Sequence, residues 1–186
     1  MRCALVVAGI LVFAHASPAT ETGTDRMETG HPRFPRLEAE ALDRSRVVLP
    51  DSTAGYVVLL GFAFRRAVQD DLSSWLLPYL EEFGDDRRFL AYEVPMMGTG
   101  TAVRLMRGTI DRGMRRSIPG QRHRFVLPFY QDYGDFAAGL DMDDRSVVHM
   151  FLLDREGRIR WRSEAAPRGE DLVALLQLAR TLAVDP

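Results

Sequence analysis

Cysteine occurs once in this sequence, at Cys3, and lysine and asparagine do not occur at all. The first scarcity excludes a disulfide within the chain and any chemistry that needs two neighbouring thiols, so stability has to come from packing. The second means that all 24 basic residues are arginine. Lysine and asparagine are the residues with A-rich codons, so their joint absence reports the codon usage of a GC-rich bacterial genome rather than a chemical choice. Without asparagine there is no N-glycosylation site. Also missing is any run of 18 or more apolar residues, which excludes a conventional membrane-spanning helix. No Ser-His-Asp motif, glycine-rich phosphate loop or zinc-ligand spacing is present. A formal net charge of −2 argues for solubility and nothing sharper.

What is present begins with an export signal. Arg2 supplies a positive end, Ala4 to Ala14 an apolar run, and Ala14-His15-Ala16 a small-x-small cleavage site. This predicts a signal peptide over residues 1–16, cleavage near Ala16 and a periplasmic or otherwise exported product. Cys3 precedes the apolar run and leaves with the signal. The alternative is a retained anchor, although eleven apolar residues fall short of ~30 Å of hydrocarbon. Residues 17–36, rich in Thr, Glu, Gly and Pro, read as a disordered tether with little to bury. Residues 37–186 are long enough for one domain with an adequate core.

Along that domain, Leu37 to Leu42 reads as a short helical turn and Arg46 to Leu49 as a strand stopped by Pro50. Tyr56 to Phe64, YVVLLGFAF, has the continuous apolar character of a strand buried on both faces. Val68, Leu72, Trp75, Leu76, Tyr79, Leu80 and Phe83 then recur at spacings of three and four, one stripe of an amphipathic helix containing Pro78. Phe89 to Val94 completes a parallel β-α-β unit. A helix over Thr101 to Arg116 is expected to bury Val103, Met106, Ile110 and Met114. His123 to Tyr130 reads as a third strand, and Asp135 to Leu140 as a helical turn. Val147 to Trp161 has the pattern of a hairpin. Pro167 is placed to open a last helix carrying Leu172, Leu175, Leu176, Ala179 and Leu182. The order predicts an α/β domain with a central mixed sheet flanked by helices.

Two resemblances follow from these segments. FVLPFYQDYGDFAAGL leading into FLLDREGRI resembles exported thioredoxin-like proteins of the TlpA and ResA type. Laid on that pattern, Arg66 and Gln69 stand where the family has its two cysteines, and Val148 where it has a cis-proline. Neither a guanidinium nor an amide forms a mixed disulfide, so the family's usual redox chemistry is excluded, and peroxiredoxin-type peroxidase activity with it. The segments FAFRRAVQDDLSSWLLPYLEEF and VVHMFLLDREGRIRWRSEAAPRGEDL are similar to the mitochondrial ATP synthase assembly factors, the family of ATPase complex subunit ten. The shared residues are Ser74, Trp75, Pro78, Phe83, Asp154, Ile159, Arg160, Trp161, Ala165 and Glu170. That similarity implies a thioredoxin-like chaperone for a membrane subunit rather than an enzyme.

Phe64, Arg65, Arg66 and Gln69 fall at a strand end and a helix start, where open α/β sheets place their ligand crevice. With Trp75, Val148 and His149 they form the expected binding face, and two arginines there suit a carboxylate or phosphate. A solvated, vestigial surface is the plain alternative. Arg104, Arg107, Arg112, Arg115, Arg116, Arg122 and Arg124 make a second, basic patch against the single acid Asp111. It reads either as a contact for an anionic membrane surface or an acidic partner, or as a solvated face balanced by nearby aspartates. His123 and His149 with Met96, Met97, Met106, Met142 and Met150 invite a copper reading, but none sits in a ligand spacing and methionine commonly fills cores. Asp141, Asp143 and Asp144 lack the glycine and glutamate of a calcium loop. The expectation is therefore a protein without cofactor, metal, catalytic residue or nucleic-acid partner, which binds another polypeptide, such as a membrane-complex subunit during assembly. The rival readings are a small-anion or metal binding protein or enzyme using the same crevice, and a TlpA-like member of a thiol redox pathway.

Overall fold

Where a helical turn was expected, the first element is a strand. In the computed structural model, which describes residues 30–184, Leu37–Glu40 (β1) pairs antiparallel with Arg46–Leu49 (β2), Leu37 opposite Leu49. Leu37 and Ala39 are buried and Glu40 is exposed, a period of two that suits a two-stranded ribbon. Arg46 bonds Glu38 across it at 2.6 Å.

The signal segment and residues 17–29 of the expected tether lie outside the described residues; the last residues assigned to it, up to Arg36, are instead packed against the domain. Phe34 is 2% exposed and meets the rings of Phe62, Phe136 and Phe151 at about 6 Å. Its amide donates to the Gly157 carbonyl, and Ile159 donates to Pro32. One buried aromatic with two backbone bonds is enough to order a segment whose composition reads as loose.

The central strand is Val57–Ala63 (β3), buried at every position. Its neighbours are Phe89–Pro95 (β4), parallel, and His149–Leu153 (β5), antiparallel; Ile159–Glu164 (β6) pairs with β5 as an antiparallel edge, giving the order β4-β3-β5-β6. Helix α1, Gln69–Phe83, follows β3 through a short 3-10 turn, Arg66–Val68, and packs Leu72, Trp75, Leu76 and Tyr79 on the sheet. Gly61 permits this, because a Cβ there would run into Leu72.

Helix α2, Thr101–Ser117, has the expected bounds but not the expected burial. No residue in it is buried, Val103, Ile110 and Met114 are half-covered, and Met106 is 53% exposed. Its apolar periodicity is real, yet the sheet faces are already filled by other elements. The third strand expected over His123–Tyr130 is instead a 3-10 helix, Gly120–Phe125, followed by two isolated parallel bridges, Val126 with Glu93 of β4 and Phe129 with Met96 just beyond it. Pro128 lies between the bridges and has no N–H to give a ladder. Helix α3 is Gly134–Ala138, and α4, Asp171–Val184, starts four residues beyond Pro167. The delay comes from Gly169, in the left-handed region at φ 46°, and from the Asp171 carboxylate, which takes the Arg168 amide at 2.8 Å.

Two apolar layers result. One holds β1, β2, Phe34, Leu127, Phe129 and α3 against one face of the sheet; the other holds α1 and α4 against the opposite face. Met96 and Met142 fill the first layer and Met150 the second, and no cluster of three His, Cys, Asp or Glu able to hold a metal occurs among the described residues.

Candidate binding crest

β3 and β4 run parallel and β5 runs against them, so the ends of the first two and the start of the third share one edge of the sheet. Beyond β3 comes Phe64, half-buried, then Arg65 in extended conformation and the exposed Arg66. Gln69, the first residue of α1, turns inward and donates to Glu93 at 3.2 Å. The two positions matched to cysteines are thus at the strand-to-helix junction, one in solvent and one tied to a carboxylate. Asp70 and Asp71 occupy the first turn of α1, so the positive end of that helix is already opposed by two acids. This disfavours capture of a small free anion.

The remaining expected residues divide. Val148 is fully buried, its carbonyl accepting from the Ala165 amide at 3.0 Å. His149 is 2% exposed: its Nε2 donates to the Asp144 carbonyl at 2.8 Å, Nδ1 lies 3.5 Å from Glu164, and the ring stands edge-on to Phe64 at 5.9 Å. Trp75, expected on the binding face, is 0% exposed. Its indole N–H donates to the Ala165 carbonyl at 2.7 Å and its ring meets Trp161 at 5.2 Å. Trp75, Val148 and His149 therefore shape the crest from beneath and do not present themselves to a partner. The helical stripe that contains Trp75 already implied burial; the type of the residue suggested a contact instead.

Sequence reasoning missed three groups that the fold brings here, Tyr133, Arg145 and Glu93, and weighed a fourth, Asp144, only as part of a calcium loop. Tyr133, just before α3, packs edge-on to Phe64 at 5.3 Å, and the Arg145 guanidinium lies over both rings at 5.2 and 6.0 Å. Gly98, at φ 71°, allows this approach, since a Cβ there would sit 3.1 Å from the Tyr133 ring. The Asp144 carboxyl is held below its ordinary range first by the Ser146 hydroxyl and amide, with smaller contributions from His149 and Arg65. Glu93, the lone acid in an apolar strand, was the one group with a readable signal. Burial pushes its carboxyl up, against the opposing pull of Gln69 and of the Arg122 charge. Arg122 is itself partly desolvated, which lowers its pKa.

A raised carboxyl pKa means that the folded protein prefers the protonated form. The stability this represents is present below the ordinary value of 4.5 and is lost as pH climbs through the folded value. Glu93→Gln mimics the protonated acid, so the variant is expected to melt higher than wild type at pH 7.5 and to lose that advantage at pH 4. Melting curves across the interval check this, and a variant less stable at pH 7.5 refutes the assigned cost.

The basic patch also divides. Arg107 lies over Tyr130 at 4.6 Å between Asp111 and Glu40, Arg115 donates to the Leu42 carbonyl, and Arg124 covers Phe125 at 4.5 Å. Arg104, Arg112 and Arg116 are exposed and have no acidic partner among the described residues.

No protein-family model matches the sequence, and no curated protein matches it. Solved structures do. The chain is similar to a protein assigned as the thiol:disulfide interchange protein DsbE of Chlorobium tepidum, with a TM-score of 0.59 and 18% identity over 83% of this chain and 97% of that one. It is similar also to the exposed lipoprotein thioredoxin of Streptococcus pneumoniae strain TIGR4, at TM-score 0.53 and 15% identity over 79% and 99%. A third is BsSco, a member of the Sco family of cytochrome c oxidase assembly proteins, at 0.59 and 10% over 85% and 96%. The fold is thioredoxin-like, and its structural neighbours are of the thiol-disulfide oxidoreductase type. None of these comparisons shows the similarity to ATP synthase assembly factors. The residues that carried it are structural here: Trp75 packs on Trp161 and bonds Ala165, and Asp154 receives Arg160 at 3.2 Å. Among the described residues no helix is long and apolar enough to cross a membrane.

Proposed function

We propose that this is an exported, non-redox thioredoxin-like protein that binds another polypeptide at the crest, and that its partner is a subunit of a membrane complex under assembly. One observation carries the reading. The corner where thiol chemistry needs two cysteines holds Arg66 and Gln69, next to a half-buried Phe64–Tyr133 pair capped by Arg145. Aromatic and arginine side chains are the types that dominate protein interfaces, and the described residues contain no cysteine. Export rests on the N-terminal signal pattern. The assembly role rests on the sequence similarity above and is in keeping with a neighbour of the same fold that is named as an assembly protein.

A photocrosslinker replacing Arg66 is expected to give one reproducible polypeptide adduct in the cell envelope, lost when Arg145→Glu is added. The same crosslinker at Arg87, beyond the opposite end of β3, is expected to give none. Reduction of insulin disulfides by the purified protein would sink the reading. So would a melting temperature raised by phosphate or copper without any adduct, which would favour the rival anion or metal binder.

A further inference from the structure

The solvent side of α2 differs in its charges from the rest of the surface. Most arginines elsewhere are engaged: Arg33 and Arg36 with Asp51, Arg46 with Glu38, Arg88 with Asp86, Arg162 with Asp141 and Arg180 with Glu82. On α2 the engaged Arg107 and Arg115 stand beside Arg104, Arg112 and Arg116, which are exposed and have no acidic partner among the described residues. Arg44, across a polar cleft of about 650 Å³ that Arg112, Glu40 and Asp111 also line, has no acidic partner among the described residues either.

The helix periodicity sorts the charges. Val103, Ile110 and Met114, spaced i, i+7 and i+11, are half-covered on the protein side. Leu105, Arg112 and Arg116 have the same spacing on the outer side, where Leu105 is 83% exposed. Met106 flanks them at 53% exposure. Two large aliphatic side chains thus stand in water among unpaired guanidiniums, on the convex outside of one helix.

We infer that this face of α2 lies on an anionic lipid surface, with Leu105 and Met106 entering the acyl boundary and Arg104, Arg112 and Arg116 meeting lipid phosphates. Charge complementarity selects an anionic occupant. The composition selects lipid over an acidic protein: α2 carries no aromatic anchor of the kind that usually marks a protein interface, and the cleft that Arg112 lines also holds the acids Glu40 and Asp111, which oppose an acidic partner. Arginines with short aliphatic contacts on a helix lying in the plane are what a headgroup layer accommodates. Each arginine near an anionic leaflet strengthens binding by roughly five-fold.

The test is sedimentation of the full chain with vesicles of phosphatidylcholine alone or mixed with phosphatidylglycerol, at 0.1 M salt. Wild type is expected to prefer the anionic vesicles. The triple variant Arg104→Gln, Arg112→Gln, Arg116→Gln is expected to lose that preference by roughly 100-fold, and Leu105→Gln to weaken it about ten-fold. Arg87→Gln, exposed and far from α2 in sequence, is the control and is expected to bind as wild type. All five positions are on the surface, and unchanged melting temperatures confirm folded variants. Equal binding to both vesicle types, which the apolar run at residues 4–14 alone would produce, overturns the inference. So does a triple variant that binds like wild type, or binding to poly-glutamate with no preference for anionic vesicles.

Discussion

Trp75→Ala is expected to destabilise the protein by about 3–5 kcal/mol, the range for truncating a large buried aromatic. In a domain of this size that lowers Tm by about 8 °C or more. Two losses combine. The indole fills the space between α1, β3 and β6, where it meets Trp161, and the surrounding layer closes only partly over the cavity. Its N–H also holds the Ala165 carbonyl, and Ala165 sits in the left-handed region at φ 61°, strained for a residue with a Cβ. Trp75→Phe separates the two effects. It keeps most of the packing and leaves the carbonyl unpaired, so it should cost about 1–3 kcal/mol. Equal melting temperatures for Trp75→Phe and wild type would show that the hydrogen bond contributes nothing.

The consequence reaches the crest, because Ala165 links Trp75 to Val148. The Ala165 amide donates to the Val148 carbonyl, and the adjoining His149, buried and paired across the ladder with the exposed Glu164, forms the floor of the crest. A tryptophan that touches no partner thereby fixes the backbone at the position where the thioredoxin-like pattern places its cis-proline. Trp75→Phe should accordingly weaken partner capture at Arg66 at temperatures where the protein remains folded, whereas a purely stabilising role would leave capture unchanged.

Much of the scaffold was legible because periodicity reports burial directly. An apolar run without alternation identified β3, a three-four stripe identified α1, and two apolar runs around Arg155-Glu156-Gly157 identified the β5–β6 hairpin. Short segments were not legible. LEAE in β1 satisfies a helical turn and a strand equally over four residues, and only pairing with β2 decides. Around Val126 the apolar pattern was right for a strand, but Pro128 permitted only isolated bridges. For α2, amphipathicity showed that one side differs from the other without showing that anything covers it. The crest was legible only in part, at the β3–α1 junction, because its other members arrive from distant segments. Tyr133 and Arg145 become neighbours of Phe64 only once α3 and the loop before β5 are placed. His149 and Trp75 have polar atoms that sequence reasoning offered to a partner, while the fold spends them on backbone carbonyls.

The second large effect concerns chemistry rather than stability. Wild type is expected to be inert in insulin-disulfide reduction, and Arg66→Cys with Gln69→Cys to turn activity on. The two positions are three residues apart across a helical turn, which brings side chains within about 5–6 Å and, with slight adjustment, within disulfide reach. The first falls in the turn leading into α1, where unpaired backbone N–H groups favour a thiolate and lower its pKa. Asp70 and Asp71 act against this, so the new dithiol should be less acidic, and slower to attack at neutral pH, than one at an uncompensated helix start. Asp70→Asn and Asp71→Asn, added to the double-cysteine variant, should therefore raise the rate further. Removing Gln69 also frees Glu93 from its amide partner, and Glu93→Gln in the same background distinguishes that disturbance from the thiol chemistry. If the double-cysteine variant forms its disulfide and still exchanges with no substrate, the loss of redox function involves more than two side chains, and Val148 in place of proline is the next position to restore.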